Sequence, residues 1–282
     1  FKTIDKISIF LLFLIPILLI TGPFLPDLSI IIISSLFIYK TFKSKNIDLF
    51  KNKYFLIFLS FCILITTNSF FSDDIKLSLL SSAFYFRFGI FSLAIYMILK
   101  EDLKKLFILK NIFLIIIFVL FFDTLYQFFF GKNLIGFEYT NPQNFRITSF
   151  FGEDEGLGSY ISRFFPFILS LVLFHQYKKN KVKLGFLMPI LIIISFVIVF
   201  LSGERTAFVL LLISSSLIFI TCKSLRKPFF IASIFLTFII SILITFNPSV
   251  KNRMYDSVIK QLGLHSDSDR IILFSKTYES HY

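Results

Sequence analysis

The chain has 282 residues, of which 56% are hydrophobic and only 16% are charged, and its formal net charge is +12. Soluble domains usually carry about 25% charged residues, so this composition excludes a soluble enzyme with a single membrane anchor. It indicates a chain whose solvent is largely lipid.

The apolar residues occur in blocks about as long as a bilayer is thick. A hydrocarbon core of roughly 30 Å needs about 20 helical residues at ~1.5 Å each. The block between Asp27 and Lys40 is the shortest, and it suits a re-entrant segment as well as a span. We predict an all-α, polytopic transmembrane bundle of about nine helices, at residues 7–22, 28–39, 54–71, 77–99, 111–130, 161–177, 184–201, 206–222 and 229–246.

The positions of the cations orient this bundle. With the N-terminus in the cytoplasm, most of the 29 Lys and Arg residues fall in the N-terminal stub and the inner loops. The outer turns at 23–27 and 68–76 hold at most one cation each. This positive-inside bias requires the short second segment to cross the membrane. The positive charge therefore indicates contact with anionic membrane lipids, and no nucleic acid is needed to explain it.

Two predicted outer segments are longer than the other connections, and they set the domain limits. The first is the Gly- and acid-rich loop 131–158, inside a helix bundle that covers residues 1–246. The second, 247–282, also faces the periplasm or the cell exterior, and it contains an apolar spacing of four. That spacing suits either a helix on the membrane surface or the beginning of an ordinary extramembrane domain.

Charged side chains at membrane depth or at helix ends are the candidates for chemistry, because a buried charge is costly unless it has a partner or a function. Arginine suits an anion site, since its planar fork binds phosphate oxygens in pairs and does not lose its proton. Each arginine also has a structural alternative, an ion pair inside the bundle or contact with head groups. The candidates are Arg87, Arg146, Arg163 and Arg205, with Asp123 and Glu204 beside them.

Three blocks of sequence follow one another through residues 123–282. The first runs from Asp123, Tyr126 and Gln127 through residues 131–133, 146–153 and 158–160. The second is the LSGERTA segment at 201–207, and the third is VKNRM at 250–254, followed by Arg270. In order, spacing and predicted outer placement, these blocks resemble the O-antigen ligase and O-antigen polymerase superfamily. By this resemblance residues 247–282 are the truncated start of the family's large periplasmic loop.

The resemblance implies a glycosyltransferase of surface-polysaccharide assembly in the bacterial inner membrane. Such an enzyme moves a glycan from undecaprenyl diphosphate to lipid A core, as a ligase, or to another lipid-linked repeat unit, as a polymerase. It needs no metal and no other cofactor, because the lipid diphosphate is itself the leaving group. By this analogy Arg146 and Arg205 contact the diphosphate, Arg163 and Arg87 are neighbours, and Glu153, Asp123 and Glu204 are acceptor or loop candidates.

The family's general base belongs to a histidine-containing region that this sequence does not reach. We therefore expect a C-terminally truncated copy or fragment, whose catalytic base lies beyond Tyr282. His281 and His265 are weaker candidates for the base. A transporter or flippase of lipid-linked oligosaccharide and an inactive truncated remnant stay open as alternatives.

Overall fold

The computed structural model describes residues 2–45, 47–138, 146–178 and 187–246, and this part of the chain is mostly helical with no strand. The predicted all-α class is confirmed there. The segment 247–282, with its predicted surface helix, His265 and His281, lies outside the described residues. The helices are α1 (Lys2–Leu18), α2 (Phe24–Lys43), α3 (Lys53–Ser69), α4 (Ile75–Ser82), α5 (Phe86–Glu101), α6 (Lys104–Phe130), α7 (Leu157–Lys178), α8 (Leu187–Ser202), α9 (Arg205–Thr221) and α10 (Arg226–Phe246).

Five helical segments are long and apolar enough to cross a membrane, judged by length and composition. Helices α3, α8 and α9 are apolar but shorter. One of the five combines α4 and α5 into a single stretch. The five segments are Phe24–Lys43, Ile75–Lys100, Lys104–Phe130, Leu157–His175 and Lys223–Leu243.

The segment that seemed too short in the sequence is a helix of 20 residues, α2. Pro26 lies in its first turn, where a missing amide hydrogen costs little. Asp27 lies in the same turn, and Lys40 and Lys43 lie in the last turn, so these charges complement the helix dipole. The charges that limited the predicted apolar block are therefore part of the helix.

The predicted helix at 77–99 lies within the single apolar segment Ile75–Lys100, which is interrupted and divides into α4 and α5. With this segment counted once, the described helices fit the predicted count of about nine. Helix α4 ends at Ser82 and α5 begins at Phe86. The turn between them is tighter than an α-helix, since the Tyr85 amide donates to the Ser82 carbonyl at 3.1 Å. The tight turn lies immediately before Arg87.

Helix α6 begins at Lys104, earlier than the predicted start at residue 111. The Asp102 carboxylate accepts a hydrogen bond from the Lys104 amide at 2.8 Å and so caps the helix. Lysine is a good helix former, so the lysines at the start of α6 do not end the helix.

The chain divides into two compact units, Phe1–Phe113 and Leu114–Tyr282. In the first, α2 packs against α1 and α5, and α3 packs against α4 and α5. Gly89 allows α5 to approach α3 closely, because a Cβ at this position would lie 2.5 Å from the Phe58 ring. The core of this unit consists of Leu12, Ile33, Phe37, Ile90, Leu93 and Ala94.

The second unit is arranged around α8. This helix packs against α7, α9 and α10, and α7 also packs against α9. Nearly every side chain of α8 is buried, as expected for a helix that is apolar on all faces. The turn between α8 and α9 reaches the N-terminal end of α7, where Glu204 contacts Gly158.

Candidate functional site

The last turns of α6 contain polar side chains that are completely buried. Asp123, Thr124 and Gln127 have no exposed surface. Asp123 and Gln127 are four residues apart, so they lie on one face of the helix. A buried carboxylate is costly unless it is hydrogen-bonded, so the Asp123 side chain must find partners outside α6.

The partners of Asp123 and Gln127 are in the chain that follows α6. One carboxylate oxygen of Asp123 accepts from the Leu134 amide at 2.9 Å, and the other accepts from the Ser149 hydroxyl at 2.5 Å. The Gln127 side-chain oxygen accepts from the Ser149 amide at 2.8 Å, and its nitrogen donates to the Phe137 carbonyl at 3.3 Å. Two residues of α6 thus bind the chain both shortly after α6, at Leu134 and Phe137, and again at Ser149.

Asn133 completes this network. Its side-chain oxygen accepts from the amides of Ile135, Gly136 and Phe137 at 2.8 to 3.1 Å, which closes a tight turn. Its side-chain nitrogen donates to the Ser149 carbonyl at 2.8 Å. We name Asp123, Gln127, Asn133 and Ser149 the loop clamp. All four belong to the first sequence block that resembles the ligase family. The sequence alone suggested no role for the three uncharged members, Gln127, Asn133 and Ser149.

Arg146 lies just before the loop clamp. Its guanidinium forms an ion pair with Glu155, and both side chains are partly exposed. The next residues, Ile147 and Thr148, are buried. Glu153, the acidic residue singled out in the sequence, is exposed in the same segment. The partner of Arg146 in this acidic segment is therefore Glu155 and not Glu153.

Glu204 caps the start of α7 from another part of the chain. Its carboxylate accepts from the Gly158 amide at 2.6 Å, the Ser159 amide at 2.9 Å and the Ser159 hydroxyl at 2.6 Å. The first amides of a helix have no partner within the helix, and the helix dipole favours a negative charge there. A side chain at Gly158 would collide with Ser202 and Glu204, so this contact requires glycine.

Two more arginines that the sequence offered as site residues lie near the N-terminal end of α7. Arg205 is the first residue of α9 and directly follows Glu204, and its side chain is partly buried. Arg163 is one helical turn after Ser159 on α7 and is exposed. Among the described residues Arg163 has no ion pair. Arg146, Arg163 and Arg205, far apart in sequence, therefore lie around the first turns of α7, and we name this region the polar end of unit 2.

Arg87 belongs to the first unit and has a partner there. Its guanidinium forms an ion pair with Asp27 at 2.7 Å and lies 5.1 Å from the centre of the Phe88 ring. The Ser34 hydroxyl donates to the Arg87 carbonyl at 3.4 Å. This is the structural alternative that the sequence left open for Arg87, an ion pair with a neighbouring helix.

The described residues offer no metal site, since no group of three or more His, Cys, Asp or Glu residues among them is placed to hold an ion. Cys62 and Cys222 are free thiols. Comparisons with protein-family models, with curated proteins and with solved structures found no match to this chain.

Proposed function

We propose that this chain is a membrane glycosyltransferase of the O-antigen ligase or polymerase type. Its substrate is a glycan linked to undecaprenyl diphosphate, and the acceptor is lipid A core or a second lipid-linked repeat unit. The reaction takes place on the periplasmic face of the bacterial inner membrane. The observation that carries the proposal is that the first two sequence blocks meet, because Glu204 of the second block caps α7 at Gly158 and Ser159 of the first.

Membrane insertion is supported by the surface of the helices. Large apolar side chains such as Phe122, Phe129 and Phe238 are more than half exposed, which is unfavourable in water over so large an area and favourable in lipid. Five segments have the length and hydropathy of spans. With the cations of the sequence on the cytoplasmic side, the polar end of unit 2 faces the periplasm.

The arginines suit the chemistry of a lipid diphosphate. Cleavage of the bond between sugar and diphosphate leaves negative charge on the phosphate oxygens, and guanidinium groups placed beforehand stabilise that charge. Arg146 has five donors, and its ion pair with Glu155 leaves others for a phosphate. Arg205 is held at the start of α9, where Glu204 fixes the turn against α7. A general base then takes the proton of the acceptor hydroxyl.

The test is surface-glycan assembly in cells whose full-length gene carries Arg146→Ala or Arg205→Ala. Loss of one preorganised donor costs roughly 100- to 1000-fold in turnover, so both variants should lose assembly at normal protein levels. Lys178→Ala, at the other end of α7, is the control and should keep it. Wild-type glycan in both arginine variants would refute the diphosphate role.

Analysis of lipopolysaccharide on gels and of the undecaprenyl-linked pool by mass spectrometry then separates the two reactions. Long lipid-linked chains that accumulate beside bare core indicate a ligase. Single lipid-linked repeat units indicate a polymerase.

A second candidate function is transport of a lipid-linked oligosaccharide, because transporters use helices that are interrupted within the membrane. The interruption between α4 and α5 next to Arg87 is a feature of this kind. A transporter predicts that lipid-linked units accumulate on the cytoplasmic side when the gene is deleted. A transferase predicts that they accumulate on the periplasmic side, where an added glycosidase reaches them.

A further inference from the structure

We infer that Asp123 and Gln127 are positioning residues, which fix residues 146–149 of the loop and thereby place Arg146. The inference rests on the proposed function, because the role of Arg146 in diphosphate binding comes from it. It also assigns one role to Asp123. The sequence had left two alternatives open for this residue, binding of the acceptor and a role in the loop. The clamp itself is a property of the fold and can be tested without the reaction.

The segment after Arg146 is buried, and it has no regular structure until a single 3-10 turn begins at Ser149. Ile147, Thr148 and Ser149 are each at most 1% exposed. Buried backbone outside helices and strands needs hydrogen bonds from elsewhere in the protein, and at a membrane water does not readily supply them. The clamp supplies them at Ser149, whose amide, carbonyl and hydroxyl bind Gln127, Asn133 and Asp123 respectively.

Ser149 also has an unusual backbone conformation, with a φ of +53°. A residue other than glycine keeps a left-handed conformation only when its surroundings hold it there. The clamp holds it through three hydrogen bonds, and the chain direction is thereby fixed three residues after Arg146. A shift of the arginine by about 1 Å is enough to lower turnover strongly when the group must meet a transition state.

Asp123 itself is in no position to touch a substrate. Its side chain has no exposed surface, and both carboxylate oxygens are already hydrogen-bonded to Leu134 and Ser149. An acceptor hydroxyl would have to break the clamp to reach it. The carboxylate therefore acts through the loop and Arg146.

Substitution by asparagine separates positioning from proton transfer. The Asn side-chain oxygen can accept from the Leu134 amide, and its nitrogen can donate to the Ser149 oxygen, because a hydroxyl both donates and accepts. We expect Asp123→Asn to keep at least half of wild-type glycan assembly. Asp123→Ala and Gln127→Ala should lose it roughly 100-fold, because Arg146 is then misplaced. Lys178→Ala, at the other end of α7, should keep it. If Asp123→Asn lost as much glycan assembly as Asp123→Ala, the positioning role of Asp123 would be overturned.

A labelling experiment tests the clamp without turnover. A single cysteine is placed by Ile147→Cys in full-length protein that carries Cys62→Ser and Cys222→Ser, and it is reacted with a membrane-impermeant maleimide. Because Ile147 is buried, we expect slow labelling with Asp123 or Asp123→Asn and at least tenfold faster labelling with Asp123→Ala. Equal protection in all three would overturn the clamp. The expected labelling pattern would support the clamp even if no protein in the series, the one with Asp123 included, carried out glycosyl transfer. That combination of results would refute the proposed function.

Discussion

Removal of the Glu204 carboxylate should loosen the first turn of α7 and leave the rest of the helix in place. The carboxylate accepts three hydrogen bonds there, from two backbone amides and the Ser159 hydroxyl. In Glu204→Ala the amides of Gly158 and Ser159 lose their acceptor, and Gly158 is buried where solvent does not replace it. The change therefore leaves an unsatisfied helix end inside the protein.

The size of the effect follows from the kind of bonds that are lost. A hydrogen bond to a charged group contributes about 1.5–3 kcal/mol, and a helix cap contributes about 0.5–2 kcal/mol. Because the three bonds share one carboxylate, their contributions overlap, and we expect about 2–4 kcal/mol for opening of this turn. At about 1.4 kcal/mol for each factor of ten, the opening equilibrium shifts roughly 30- to 700-fold.

Hydrogen–deuterium exchange of the purified protein measures this opening. Peptides that cover the start of α7 should exchange faster in Glu204→Ala by that factor, and peptides from α8 should not change. Glu153→Ala is the matched control, because Glu153 is exposed and makes no hydrogen bond to a described residue. Unchanged exchange at Gly158 and Ser159 in Glu204→Ala would refute the capping role.

Two further predictions concern the ion pair of the first unit and the orientation of the helices. In a double-mutant cycle with Asp27→Asn and Arg87→Met, thermal unfolding should give a coupling energy of about 0.5–1 kcal/mol. The coupling is small because both side chains are about a third exposed. A coupling energy of zero would show that the ion pair contributes nothing to stability. A cysteine at Ile135 should react with an impermeant maleimide added to the periplasm, and one at Phe42 should react only after the membrane is opened; the reverse pattern would refute the proposed orientation.

The helices were predictable from the sequence, and their ends were not. Runs of apolar residues mark the part of a helix that suits lipid, and that part is shorter than the helix itself. Helix α2 extends through Asp27 and Lys40, and α6 includes Lys104 and Lys110, because charges at helix ends are compatible with helical backbone. The interruption at residues 83–85 gave no signal, since it contains neither glycine nor proline.

The charged residues of the candidate site could be singled out from the sequence, and their hydrogen-bond partners could not. Asp123, Arg146 and Glu204 stood out because a charge at such a place is costly without a function or a partner. Ser149 and Gln127 carry no charge and lie more than 20 positions apart, so only the fold shows that they bind each other. The same holds for Glu204, whose carboxylate caps a helix that begins 47 positions earlier in the chain, at Leu157.

The arginines differ in what an incoming anion must overcome. Arg87 is paired with Asp27 and Arg146 with Glu155, so a phosphate gains less from their charge than from an unpaired guanidinium. Arg163 is exposed at the polar end of unit 2 and forms no ion pair with any described residue. An anion that approaches Arg163 does not displace a carboxylate of the described residues from it. Arg163 therefore differs from Arg87 and Arg146, because no carboxylate among the described residues compensates its charge.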